Sequence, residues 1–295
     1  MSDRRIGFVG LGIMGGPMAR NVLDAGYDLV LFNRTRPRAE ELAKNNPAEV
    51  ADSISGLARQ SDAVITMLPG PPEVEAVYAG EGGLLDSMRQ GTLLVDMSTS
   101  SPVLARGLAQ EAARRGIGML DAPVSGGDVA AEQGTLSIMA GGEETDFARA
   151  LPLFEAMGET IVHVGDSGAG QVTKAANQIV VALVLEAVSE ALVLGSRAGV
   201  EPAQLIEVLS GGLAANRAME VKRDKLLGHD FQPGGKVEFH KDLGIALEAA
   251  REYGVSVPVT ALVDQMFGEL TVTGKGGWDH SALLTLIEAR SGHSI

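Results

Sequence analysis

The chemistry in this chain centres on a lysine placed just ahead of a long apolar run. Lys174 is followed by Asn177 and Gln178, and offsets of three and four put the trio on one helix face. An ammonium with amides beside it can give or take a proton and orient a small polar substrate, although the same residues can be plain surface or capping groups. Two other clusters favour chemistry. Gly10, Gly12 and Gly15 form G-x-G-x-x-G, in which Gly10 permits a tight turn, Gly12 lets backbone approach a pyrophosphate and Gly15 lets a helix pack on a strand. Ser125-Gly126-Gly127 offers a hydroxyl and backbone N–H groups unobstructed by side chains, a nest for a small carboxylate or else a simple turn.

These groups need a scaffold, and the apolar pattern supplies one. Arg5 to Gly10 reads as a strand, about Ile13 to Ala25 as a helix and Leu29 to Phe32 as a second strand, which is the setting that makes the glycine pattern a dinucleotide loop. NAD-binding chains usually end that second strand in Asp or Glu; here stand Asn33, Arg34, Thr35 and Arg36. A guanidinium can bind a 2′-phosphate that a carboxylate would repel, so NADPH is the preferred cofactor and NAD a possible one. The alternative is that Arg34 and Arg36 are solvated turn residues.

Further strands are expected at Ala63 to Leu68, Leu93 to Met97 and Gly118 to Ala122, the first closing on Pro69-Gly70-Pro71-Pro72. Ligands of a doubly wound sheet bind outside the carboxyl ends of its strands, which puts Leu68, Pro69, Ser98, Thr99 and Ser125-Gly126-Gly127 on the rim of the glycine loop. Thr135 to Ala140 and Ile161 to Val164 continue the strand pattern, with His163 in a structural place. Gly165 to Gly168 marks the predicted boundary between a Rossmann-type domain, 1–165, and an all-helical domain, 166–295.

The run from Gly168 to Gly199 predicts one helix of about 45 Å joining the two. Glu186, Ser189 and Glu190 interrupt it too early for a membrane span, so a buried core helix is expected. Beyond Gly199 the periodicity stays helical. Pro202 suits a first turn, Pro233-Gly234-Gly235 breaks the pattern, Phe239 to Leu243 opens another helix with Lys241 near its start, and Asp279 is a candidate N-cap. His280 has no histidine at ligand spacing, and no metal is assigned.

Composition narrows the partners. A net charge of −14 over 295 residues argues against nucleic acid, and the lack of cysteine excludes thiolate catalysis and disulfides. The start moves directly into strand-like sequence, from which a cytoplasmic, unprocessed enzyme is expected.

Four stretches together resemble the β-hydroxyacid dehydrogenase family over essentially the full length. They are F-V-G-L-G-I-M-G-G-P-M-A-R-N at 8–21, D-A-P-V-S-G-G at 121–127, G-A-G-Q-V-T-K-A-A-N-Q at 168–178 and K-D-L at 241–243. The resemblance implies an α/β fold, with an N-terminal Rossmann-type doubly wound sheet, an all-α C-terminal domain and a long interdomain helix. It also implies a homodimer or homotetramer that oxidises small β-hydroxy acids reversibly with a nicotinamide cofactor, its substrate a carboxylate-bearing aldehyde or alcohol. Lys174 would be the catalytic lysine, Ser125, Gly126 and Gly127 would hold the substrate carboxylate, and Asn177 with Gln178 would help position it. Gly10, Leu11, Gly12, Ile13, Met14 and Gly15 fall on the dinucleotide loop, Asn33, Arg34 and Thr35 on the turn after the second strand, and Leu68, Pro69, Thr99 and Lys241 on further cofactor-contact positions.

Within the family, A-N-Q after the lysine, G-G-L-A at 211–214 and D-H-S-A-L at 279–283 resemble the tartronate semialdehyde reductase branch most. Members acting on 3-hydroxyisobutyrate are similar but carry N-N where this chain has Asn177-Gln178; succinic semialdehyde and glyoxylate are further candidate substrates. Imine reductases on the same scaffold replace the lysine. A non-catalytic binding module or a structural oligomer would leave the intact glycine loop and Lys174 unexplained.

Overall fold

The computed structural model describes residues 5–44, 46–232 and 239–295. The break expected at Pro233-Gly234-Gly235 lies outside the described residues. The chain forms two compact units, Met1–Lys174 and Ala175–Ile295.

The first unit is built on a sheet of β1 (Arg5–Val9), β2 (Asp28–Phe32), β3 (Ala48–Val50), β4 (Ala63–Thr66), β5 (Leu93–Asp96), β6 (Gly118–Asp121), β7 (Val124–Ser125), β8 (Leu136–Gly141) and β9 (Gly158–Gly165). Their order is β3-β2-β1-β4-β5-β6-β8-β7, with β9 also on β8. From β3 to β6 every pairing is parallel, and the strand order reverses between β1 and β4, the switch point of a doubly wound sheet. Both faces are covered, as parallel strands require. Ile6, Phe8, Leu31, Ile65 and Val95 pack with Met18 and Val22 on one side, while Val9, Val30, Val64 and Leu94 pack with Leu57, Tyr78 and Leu108 on the other. Successive residues of a strand point to opposite faces, so each apolar run feeds two cores.

The edge departs from that pattern. β8 runs antiparallel to β6 and β7 and parallel to β9, so Ser125, expected in a loop after a strand, ends a short strand of its own. His163 in β9 is structural, as expected: its Nε2 lies 2.7 Å from the Gly142 carbonyl and its ring stacks on Phe147.

Among the described residues, a carboxyl deep in this sheet has no cationic partner. Asp96, 1% exposed, accepts from Thr66 Oγ1 at 2.8 Å and from Ser98 N–H at 3.1 Å. Burial outweighs those bonds and pushes its pKa up to about 6. Because the folded value exceeds the unfolded one of about 3.9, the protonated group stabilises the fold below about pH 4 and that contribution is lost as pH rises through 6. At about 1.4 kcal/mol per unit, the loss is of order 3 kcal/mol. In Asp96→Asn the urea midpoint should therefore change less between about pH 4.5 and 7.5 than in the parent; an identical change in both would show that the carboxyl does not titrate there.

One helix, Ala169–Arg197, runs from the first unit into the second over 29 residues. By length and composition it could cross a membrane, with mean hydropathy 2.1 in its most apolar window. Within the second unit, however, its side chains fill packed clusters. Ala182 meets Leu243, Phe267 and Leu283, and Val188, Leu192 and Val193 meet Ile206, Met219 and Leu226, so one side of it is core, but only 33% of its most apolar window is buried and the burial expected from the sequence is met in part. Val180 (61% exposed) and Leu194 (74%) stay on the surface. The remaining described α-helices of this unit are Pro202–Ser210, Arg217–Gly228, Phe239–Glu252, Pro258–Leu270 and Leu283–Ser291. Pro202 occupies a first helical turn, and Asp279 caps the turn before the last helix by accepting from Ser281 N–H at 2.9 Å.

Candidate active site

The glycine loop follows β1 at the switch point. Gly10 has φ 96°, which L side chains rarely adopt, and a Cβ there would strike the Met67 carbonyl. A Cβ on Gly15 would run into the Gly10 carbonyl, so the helix Gly15–Asp24 sits directly on the strand end. Gly12 differs: a Cβ there would meet nothing within 4 Å. Packing within the chain does not require glycine at that place, whereas a pyrophosphate lying on the loop would. The positive end of that helix faces the same place, so residues 10–15 fit a dinucleotide. Ile13, 65% exposed, gives the loop an apolar surface.

Asn33 at the end of β2 braces this loop. Its Oδ1 accepts from Leu11 N–H at 2.8 Å and its Nδ2 donates to the Thr35 carbonyl at 2.9 Å. Of the arginines in the following turn, Arg36 is committed to Glu40 and Asp52, both at 2.7 Å. Arg34, beside Thr35, is exposed.

Two further rim segments are tied together from beneath. Leu68 N–H donates to Ser98 Oγ at 2.8 Å, which fixes the chain before Pro69. Gln171 spans the next segment: its Nε2 donates to the Ser98 carbonyl at 2.8 Å and its Oε1 accepts from Ser100 N–H at 2.9 Å. Thr99 is held half-buried between them.

Lys174 is 7% exposed, and its Nζ donates to the Val124 carbonyl at 2.7 Å. Val124 precedes Ser125, so the ammonium stands at the entrance of Ser125-Gly126-Gly127. Gly126 (φ 137°) and Gly127 (φ 73°) take conformations that favour glycine and turn the chain into the helix Gly127–Gln133. A Cβ at Gly127 would meet nothing within 4 Å, which leaves its backbone open to a ligand. A desolvated ammonium next to an accessible backbone turn can bind a carboxylate and deliver a proton close by.

In the second unit Asn177, half-buried, donates its Nδ2 to Gln178 Oε1 at 2.8 Å, and Gln178 Nε2 donates to Asp242 Oδ2 at 2.6 Å. Lys241 Nζ lies 3.3 Å from Asp242 Oδ1. Gln178, 5% exposed and bonded at both ends of its amide, thus orients Asn177.

The motifs themselves gave Asp96, Asp121, Gln171 and Asp242 no role in the site, whereas Ser98 was already expected on its rim. The available signal was a carboxylate ending each of the apolar strands β5 and β6, on the ligand side of the sheet.

Comparison with known proteins agrees with this geometry. Residues 5–165 match the family profile described as the NAD binding domain of 6-phosphogluconate dehydrogenase, and residues 168–287 the one described as NAD-binding of NADP-dependent 3-hydroxyisobutyrate dehydrogenase. The 2-hydroxy-3-oxopropionate reductase of Escherichia coli (strain K12) is 41% identical over 99% of both chains. The chain belongs to the β-hydroxyacid dehydrogenase family. Among solved structures, this family member is similar to Mycobacterium tuberculosis 3-hydroxyisobutyrate dehydrogenase with L-serine, at TM-score 0.88 and 32% identity over 97% of this chain and 99% of that one. It is also similar to Psf3 in complex with NADP+ and 2-OPP, at TM-score 0.86 and 26% identity over 96% and 99%. Like other β-hydroxyacid dehydrogenases, it is an oxidoreductase with an NAD(P)-binding domain.

Proposed function

We propose that the chain reduces tartronate semialdehyde (2-hydroxy-3-oxopropionate) to D-glycerate with NADPH, and catalyses the reverse oxidation. The observation that carries this is the placement of the buried Lys174 ammonium 2.7 Å from the Val124 carbonyl, at the mouth of the Ser125-Gly126-Gly127 nest. A nicotinamide cofactor held by residues 10–15 would supply the hydride for the aldehyde carbon. Lys174 Nζ hydrogen-bonds the carbonyl oxygen, stabilises the negative charge that develops there and gives it a proton; in the oxidation the neutral amine takes the proton back. Val124 holds the ammonium in place without neutralising it, because a carbonyl accepts a hydrogen bond but carries no full charge. Ser125 Oγ and the N–H groups at Gly126 and Gly127 receive the substrate carboxylate. Arg34 takes the 2′-phosphate of NADPH.

Support for the substrate comes from the 41% identity to a reductase of that name and from the Asn177-Gln178 pair. Steady-state reduction of tartronate semialdehyde, methylmalonate semialdehyde, succinic semialdehyde and glyoxylate with each cofactor tests it. Tartronate semialdehyde with NADPH should give the highest kcat/KM. One methylene changes discrimination by about 10–200-fold, so a tenfold advantage for any rival aldehyde would reassign the substrate.

A further inference from the structure

The helix bearing Lys174 starts closer to the sheet than side chains would ordinarily allow. A Cβ on Gly170 would run into the main-chain carbonyls of Asp121 and Met139, and one on Gly141 would come within 2.7 Å of Gly170 N and 2.8 Å of Asp121 Oδ1. With glycine at both places, the first turn abuts the ends of β6 and β8. The Asp121 carboxylate grips that turn: Oδ1 accepts from Gly168 N–H at 2.6 Å and Oδ2 from Gln171 N–H at 2.9 Å. Such donors lack acceptors within the helix, and a carboxylate there also meets the positive end of the helix dipole. Lys174 follows Gln171 by nearly one turn. Its Nζ reaches Val124, which lies three residues beyond Asp121. One short stretch, Asp121 to Val124, therefore holds both the start of the helix and the ammonium that it carries.

We propose that Asp121 is a positioning residue for Lys174: its carboxylate sets the depth and rotation of the helix start, and so keeps Nζ at the mouth of the Ser125-Gly126-Gly127 nest. The inference rests on Lys174 being the proton donor. Asp96 is the register neighbour of Asp121 on β5, Gly168 and Gln171 face it from the helix, Gly141 faces it from β8, and Arg106 lies against Gly168. Burial first, then the charge of Asp96, pushes its pKa up to about 7 against the pull of the N–H bonds. The carboxylate form that accepts both bonds is thus lost as pH falls through that value.

The test is kcat for aldehyde reduction between about pH 5.5 and 8.5 in the parent and in Asp121→Asn, which keeps an acceptor for one N–H but cannot titrate. The parent should lose turnover on the acid side. Asp121→Asn should show kcat lower by about 10–100-fold at pH 8, no acid-side loss, and KM and NADPH dissociation constant within about twofold of the parent. A merely structural role would lower kcat and leave the acid-side loss in place. That outcome, an unchanged kcat, or a parent profile without the loss overturns the proposal. If Asp121→Asn does not fold, Asp121→Ser, whose hydroxyl can still cap one N–H, is measured in the same way. Lys174→Ala run alongside separates the two ideas: full turnover there removes the proton-donor role itself, whereas an inactive Lys174→Ala beside a fully active Asp121→Asn removes only the positioning.

Discussion

Lys174→Ala should lower kcat for aldehyde reduction by about 10²–10⁴-fold, the range that a positioned proton donor contributes. Both the proton and the stabilisation of the developing alkoxide go with the ammonium, and a water admitted in its place is a far weaker acid at neutral pH. NADPH binding should persist, because residues 10–15 and Arg34 do not depend on Nζ. The variant should stay folded, because water entering the vacated space can reach the Val124 carbonyl that Nζ leaves behind. Lys174→Arg should be nearly as inactive, since a guanidinium is too weak an acid to release its proton and too wide for a place shaped to an amine. Pre-steady-state oxidation of bound NADPH followed by fluorescence separates chemistry from product release. Turnover of the alanine variant within tenfold of the parent would mean that the proton comes from elsewhere.

Arg34→Ala should weaken NADPH binding by about 10–100-fold, the equivalent of a charge-assisted hydrogen bond worth roughly 1.5–3 kcal/mol, and leave NADH binding almost unaltered. The contrast follows from the pairing around the turn. Arg36 already answers to Glu40 and Asp52, so Arg36→Ala should disturb the helix Arg36–Ala43 more than the choice of cofactor. Titration of both cofactors against both variants by fluorescence is the measurement. An equal loss of NADH and NADPH affinity in Arg34→Ala would show that the residue supports the loop and does not recognise the phosphate.

Much of this was legible in the sequence, because the relevant signals are local. Strand, glycine loop, helix and second strand follow one another within 5–32, and the apolar run after Lys174 is long enough to announce a continuous helix. What stayed hidden depends on approach between distant segments. Asn33 reads as a missing acidic residue; only with β1 and β2 side by side does its amide reach Leu11 and Thr35. Gln171 reads as a polar residue opening a helix, and its bracket around Thr99 requires the strand ends to be in place. Offsets of three and four set Lys174, Asn177 and Gln178 on one helix, Ala169–Arg197. They could not show that Gln178 is occupied by Asp242, 64 residues further along the chain.

The Asn33 amide also bears on the entropy of cofactor binding. Fixing one residue's backbone costs about 1–2 kcal/mol, and a phosphate loop and a ribose-end turn left loose would both have to be ordered by the arriving dinucleotide. Here one side chain pins the two to each other during folding, so cofactor affinity can be spent on recognition instead of on ordering the loop. The same tether joins the glycine loop at Leu11 to the turn at Thr35, beside Arg34, so a displacement of one is passed mechanically to the other.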